Sequence, residues 1–221
     1  MKKGKILIVL GLLLVAAALG LTLYNVLDSQ RAGKASASVL EQLAPQVEQA
    51  AQNAPVYLPA DVTHLSEPEI DPVTGRAEPV EYPDFVLNPQ MEPPAQQIDG
   101  NSYIGILSIP SLEQSFPILK ECTDDNLRIA PCCYSGSPYL NDFVIAGHNY
   151  TTHFGSLGAV RIGDSVQFTD LDGNVFDYEV MEVTTLPANA VEEMTSGEWD
   201  LTLFTCTVSR ADRITVRCKL K

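Results

Sequence analysis

Basic residues are scarce in this 221-residue chain. It has 14 Lys and Arg against 28 Asp and Glu, a net charge of −14. Binding to a phosphate backbone needs a cationic face, so nucleic acid is excluded as a partner class. Histidine is scarcer still: imidazole chemistry can rest only on His64, His148 or His153. The chain has no Cys-x-x-Cys pair. Cys132 and Cys133 are adjacent and Cys122 lies ten residues earlier, which is poor spacing for a zinc site. Structural thiols, or a disulfide joining Cys122 to Cys132 or Cys133, fit better. No metal or cofactor is expected. Asp170, Asp172 and Asn174 have an alternate spacing that Ca2+ would accept, but a hairpin turn explains them better. With five cysteines, at least one lies outside any intramolecular pair.

Long apolar runs are also few. Ile6 to Leu27 is a single stretch of 22 residues without a charge, preceded by Lys2, Lys3 and Lys5. About 20 apolar residues span a bilayer as a helix. The lysines predict a cytoplasmic N-terminus and an exported C-terminal domain. Ala35-Ser36-Ala37 resembles a signal-peptide cleavage site, but it lies well beyond the apolar run, which is itself too long for a signal core. Residues 1–27 are therefore read as a cytoplasmic tip and transmembrane anchor.

Residues 28–100 are read as a juxtamembrane helix and a Pro-rich acidic stalk. Val39, Leu40, Leu43 and Val47 give a weak helical stripe, interrupted at Pro45. Nine of the 15 prolines fall between 55 and 94, among many acids. Such a stretch buries too little apolar surface to offset its ordering entropy. A second reading has Tyr82, Phe85, Val86 and Leu87 docking on a groove as a lid over the active site.

From residue 101 the pattern changes. Tyr103–Ile109, Phe116–Leu119, Phe143–Ala146, Ser165–Phe168, Val175–Val180, Leu201–Thr205 and Arg213–Leu220 read as short strands. Asp124–Ala130 reads as one or two helical turns. Asp172-Gly173-Asn174 signals a hairpin. Many strands and few helices predict an all-β barrel or sandwich over residues 101–221.

Cys206 ends an alternating strand and precedes a polar turn, a placement where a thiol meets solvent and substrate. Free cysteine is usually a small buried hydrophobe. Cationic neighbours would make this one nucleophilic. His148 follows an apolar strand and Gly147, and His153 is its rival. His64 lies in the acidic stalk. Arg213 and Arg217 share strand parity. Arg213 is nearer the Cys206 turn, and Arg210 competes with it from within that turn. A thiol, an imidazole and a guanidinium suffice for covalent acyl transfer.

Val144-Ile145-Ala146-Gly147-His148, Thr202-Leu203-Phe204-Thr205-Cys206 and Arg213-Ile214-Thr215-Val216-Arg217 occur in an order that resembles the sortases. These are membrane-anchored cysteine transpeptidases of Gram-positive bacteria. The resemblance covers about Asn101 to Leu220. It implies an eight-stranded β-barrel with catalytic His148, Cys206 and Arg213. Weaker substrate or oxyanion roles fall to Thr205, Thr207 (through its backbone N–H) and Arg217. It also implies cleavage of an LPxTG-like sorting signal through a thioacyl intermediate on Cys206. The acceptor would be a peptidoglycan-precursor amine or a pilin lysine. The subclass stays open between class B-like and class D-like features: Asn149 after His148 fits class B, but the interval before Cys206 is short for that class. The lack of a second apolar run differs from typical class C. The rival readings are a hydrolytic cysteine peptidase and a non-enzymatic anchored binding module.

Overall fold

The computed structural model describes residues 2–54, 82–196 and 198–221. Residues 55–81, with most of the expected stalk, lie outside the described residues.

Helix α1 (Lys2–Asn53) is one continuous helix of 52 residues. It is long and apolar enough to cross a membrane, and its apolar window is unburied. Beyond that window one face turns inward. Ala32, Ser36, Val39, Leu43 and Val47 are buried at spacings of three and four, the pitch of a helix lying against a surface. The interruption expected at Pro45 does not occur. Pro45 lies on the exposed side, where water can take the carbonyl it leaves unpaired, while Leu43 and Val47 hold the helix to the barrel.

The described residues after α1 build a closed β-barrel. After α2 (Asp84–Leu87), its strands are β1 (Gln96–Ile98), β2 (Asn101–Ile109), β3 (Gln114–Leu119), β4 (Cys132–Ser135), β5 (Phe143–Gly147), β6 (Ser165–Asp170), β7 (Val175–Pro187), β8 (Leu201–Cys206) and β9 (Asp212–Leu220). The spatial order is β2-β3-β4-β5-β8-β9-β7-β6, and β6 pairs back onto β2 to close eight strands. β1 adds a short hairpin strand to β2. Helix α3 (Asp124–Leu127) follows β3 and α4 (Val191–Thr195) precedes β8.

Alternation along the strands divides inside from outside. Phe143, Ile145, Leu201, Leu203, Val216 and Cys218 point into the barrel core. Val144, Ala146 and Phe204 point outward, under Met194 of α4. On another outer face, Val39, Leu43 and Val47 of α1 cover Tyr103, Ile106, Leu119 and Cys132. The far end of α1 meets the β6–β7 turn. Gly173, at φ +84°, has no room for a Cβ, which would lie 2.2 Å from the Ala50 and Ala51 backbone.

Residues 82–100, read from the sequence as stalk, carry α2 and β1, and β1 pairs with β2. Phe85 is buried, stacked on Tyr139 at 4.7 Å and tilted against Phe176 at 5.3 Å. Its aromatic area repays the ordering of a short segment otherwise dominated by proline. The segment docks near Tyr139, Asp172 and Asn174, away from Cys206, so the described residues Tyr82–Leu87 do not form the lid of the second reading. The Asp170 carboxylate is taken up by the hairpin: it accepts from the Asp172 and Asn174 backbone N–H groups, the Asn174 amide and the Tyr139 hydroxyl.

Candidate active site

Strand pairing brings the three motifs together. β5 and β8 run parallel, with Ala146 beside Phe204 and Gly147 beside Thr205. The next residue on each strand is His148 and Cys206. β9 returns antiparallel to β8 and sets Arg213 opposite Cys206. His148 lies 58 residues before Cys206 and Arg213 seven after it, yet all three meet at one end of adjacent strands.

The turn after β5 is shaped by close packing. A Cβ on Gly147 would lie 2.6 Å from the Phe154 ring, so the core aromatic needs glycine there. The loop then folds back: Phe154 N–H donates to the His148 carbonyl at 3.0 Å, and His153 and Gly155 N–H groups donate to the Tyr150 carbonyl, both at 2.9 Å. His148 is half-buried and its ring lies 4.9 Å from that of Tyr150. Burial pushes its pKa below the usual histidine value, and the nearby guanidiniums of Arg128 and Arg210 add to this. Asp124 and Asp28 partly offset the shift.

A pocket of about 310 Å³ opens between these groups. Cys206, His148, Asn149, Tyr150 and Arg210 line it together with Asp124 and Arg128 from the α3 region and Tyr24, Asn25 and Asp28 from α1. Cys206 is a half-buried free thiol, and the other four cysteines are also free. The Cys122 and Cys132 thiols hydrogen-bond to each other, which depresses the first and raises the second.

His153 does not compete for the catalytic position. It is fully buried, and burial, with a smaller contribution from His148, lowers its pKa to about 4. Arg213 faces the side of β8 that carries Cys206, but its Nη1 donates to the Arg210 and Asp212 carbonyls at 3.3 and 3.2 Å. Arg210, in a left-handed turn position at φ 61°, is the arginine of that hairpin lining the pocket.

The weaker sequence candidates are placed elsewhere or already engaged. Thr205 is buried, and its parity turns it to the barrel interior. The Thr207 N–H expected at the oxyanion donates to the Asp212 carbonyl at 2.9 Å, because the β8–β9 ladder continues one residue past Cys206. Arg217 is held by Glu182 at 3.4 Å and the Glu193 carbonyl at 2.8 Å, over the Trp199 ring. It does not line the pocket. Sequence reasoning missed Asp28, Asp124, Arg128 and Tyr150. The i,i+4 pair Asp124/Arg128 was a weak signal; nothing local marks Asp28.

The family model described as the Sortase domain matches residues 107–221. Sortase A of Bacillus anthracis is 27% identical over 115 residues, 49% of this chain and 54% of that protein. The chain thus spans about half the length of that curated relative. Sortase C of Streptococcus pneumoniae superposes with a TM-score of 0.53 at 22% identity, covering 83% of this chain and 96% of that one. Sortase C1 of Streptococcus agalactiae gives 0.50 at 22% identity, with 57% and 70% covered. At these identities the two structures speak for the fold. Because the family model matches over half of it, the chain belongs to the sortase family.

Proposed function

We propose that this protein is a membrane-tethered cysteine transpeptidase acting outside the cell, with Cys206 as nucleophile and His148 as proton carrier. The observation that carries the reading is the in-register parallel pairing of β5 and β8, with Gly147 beside Thr205. It sets a half-buried imidazole next to a half-buried free thiol in one pocket. Burial and two guanidiniums favour neutral His148 at rest. A neutral imidazole can take the Cys206 proton as the sulfur attacks the scissile carbonyl. The tetrahedral intermediate collapses to a thioester as the imidazolium protonates the leaving amine. An incoming amine then gives a proton to His148, attacks the thioester and forms the new amide, and the thiol is restored. Arg213, opposite Cys206, holds the oxyanion once its guanidinium turns from the hairpin carbonyls toward substrate, with Arg210 as the competing cation.

The substrate is a secreted protein with an LPxTG-like sorting signal, and the acceptor is a cell-wall precursor amine or a pilin lysine. The family supports this class, and the S. pneumoniae structure is described in connection with pilin substrate specificity. The apolar part of α1 supplies a single membrane span, with the basic end cytoplasmic and the barrel outside.

Intact-mass measurement of the full chain in detergent micelles, wild type and Cys206→Ala, with LPxTG-like peptides tests the reading. An adduct of the peptide's N-terminal half on the wild type alone is expected, resolved to a transfer product when an amine is added. Resolution by water only would make the protein a hydrolytic cysteine peptidase. No adduct, together with ordinary slow alkylation of Cys206, would make it a binding module.

A further inference from the structure

The membrane-proximal part of α1 takes part in the active-site pocket. Tyr24, Asn25 and Asp28 form one wall. Directly after the apolar run the helix is fastened to the loop that carries His148. The Tyr150 hydroxyl donates to Asp28 Oδ2 at 2.6 Å, and the Thr152 hydroxyl donates to the Ser29 carbonyl at 3.0 Å. One turn further, Gly33 lets the loop approach so closely that a Cβ would lie 2.6 Å from Thr152 Cγ2. Residues 25, 28, 29 and 33 fall on one helix face, so a single surface of the anchor meets the whole turn. Tyr150 lies between the two histidines, 4.9 Å from the His148 ring and 5.4 Å from that of His153. His153 is immobilised by full burial. The orientation of Tyr150 therefore bears on His148, and Asp28 is the group that holds its hydroxyl.

We propose that Asp28 of the anchor helix is a positioning residue of the active site, acting through the Tyr150 hydroxyl on the ring of His148. This rests on the reading of Cys206 and His148 as the reactive pair. It makes the membrane anchor a working part of the catalytic pocket as well as a tether. Asp28 also contributes charge. The groups facing His148 are Arg128 and Asp124 from the α3 region, Arg210 from the β8–β9 turn, Asp28 from α1, Tyr150 and His153 from its own loop, and Cys206. Among them the two carboxylates favour the imidazolium needed to protonate the leaving amine, while the two arginines oppose it.

The experiment uses full-length protein in detergent micelles. Asp28→Asn keeps the shape and removes the charge. Tyr150→Phe keeps the ring contact and removes the hydroxyl. Two readouts are taken: the pH dependence of adduct formation with an LPxTG-like peptide, and the titration of the His148 ring protons by NMR. A hydrogen bond to a charged group corresponds to a rate loss of about tenfold. Each variant is expected to lose about that factor, and the double variant no more than the worse single one. In Asp28→Asn the His148 titration is expected to move to lower pH.

Unchanged rates and titration in both variants would overturn the proposal. So would a rate loss that only follows the unfolded fraction while His148 titrates as in the wild type. If Asp28→Asn does not fold, Tyr150→Phe decides alone. His148→Ala and Cys206→Ala run alongside. An adduct surviving His148→Ala sinks the reading of the reactive pair and the proposal with it; an inactive His148→Ala beside an unaffected Asp28→Asn sinks the proposal alone.

Discussion

His153 should make the fold sensitive to acid well above the range where carboxylates titrate. Its side chain is fully buried, and neither ring nitrogen reaches a partner in good hydrogen-bond geometry. Burial, then the charge of His148, lowers its pKa to about 4, which the Ile129 backbone offsets only in part. In the unfolded chain the ring titrates near ~6.5. The depressed value means that the unfolded state binds the proton first. Stability from this residue is complete above pH ~6.5 and is lost as pH falls toward about 4. The full interval corresponds to about 3 kcal/mol, and roughly 2 kcal/mol of it is gone by pH 5. Urea unfolding at pH 7 and pH 5, followed through the single Trp199, measures this in the wild type and in His153→Leu. Leucine fills the site and cannot titrate. The stability difference between the two pH values should be about 2 kcal/mol smaller in the variant. Contributions from groups that do not interact with His153 cancel in the subtraction. Equal differences in both proteins would refute the assignment of the acid sensitivity to His153.

Three further outcomes are expected. Gly147→Ala drives a methyl into the Phe154 ring, so it should cost about 2 kcal/mol by thermal melting. It should also slow adduct formation by more than about tenfold, because His148 moves with the strand end. Phe85→Ala removes the ring stacked on Tyr139 and should cost about 3 kcal/mol. Its adduct rate should nonetheless stay unchanged, because the turn it packs near is about 30 Å along α1 from the pocket. Steady-state kinetics should separate the arginines. Arg213→Ala should lower kcat by about 100-fold with little change in KM, whereas Arg217→Ala, which breaks the Glu182 pair, should lower the melting temperature and leave kcat within a few fold. A larger kcat loss in Arg210→Ala than in Arg213→Ala would transfer the oxyanion role to the residue that lines the pocket.

Legibility in the sequence followed the range of the interaction. The seven strands that alternate or run apolar between turn signals were readable, because a strand's burial pattern is local. β4 was not. Cys132-Cys133-Tyr134-Ser135 is too short to show a period, and it becomes a strand through pairing with Ala146 and Ile145. Likewise, β7 continues to Pro187 past the readable Val175–Val180, because β9 supplies a partner along that whole length. The candidate motifs were legible because each chemical group lies at or beside a strand terminus. Their environment was not. Asp28 is 120 residues from His148 in sequence, and no local pattern links an acidic residue after an apolar helix to a distant imidazole. The Thr207 N–H shows the opposite error: it is the next donor along the chain from the nucleophile, but the hairpin already uses it.

The continuity of α1 joins these findings. A break at Pro45 or a flexible joint after Leu27 would leave the barrel free to turn on its tether. Instead one helix leaves the apolar run, meets the His148 loop at Asp28 and Ser29, covers β2 and β3 with Val39, Leu43 and Val47, and ends against Gly173. Contact at both ends and along the middle fixes the helix axis relative to the barrel. The pocket then lies within about one helical turn of the end of the apolar run, some 5 Å along the axis. A cleavage site joined by a short linker to its own membrane segment could reach such a pocket without leaving the interface. Inserting a helical turn after Leu27 in the full chain should therefore leave the barrel folded while separating the pocket from peptides held at a bilayer surface. Soluble peptides should still react, slowed only by the displacement of Tyr24 and Asn25 from the pocket wall. Equal loss with soluble and membrane-held peptides would show no added effect of pocket height and would refute this geometric reading.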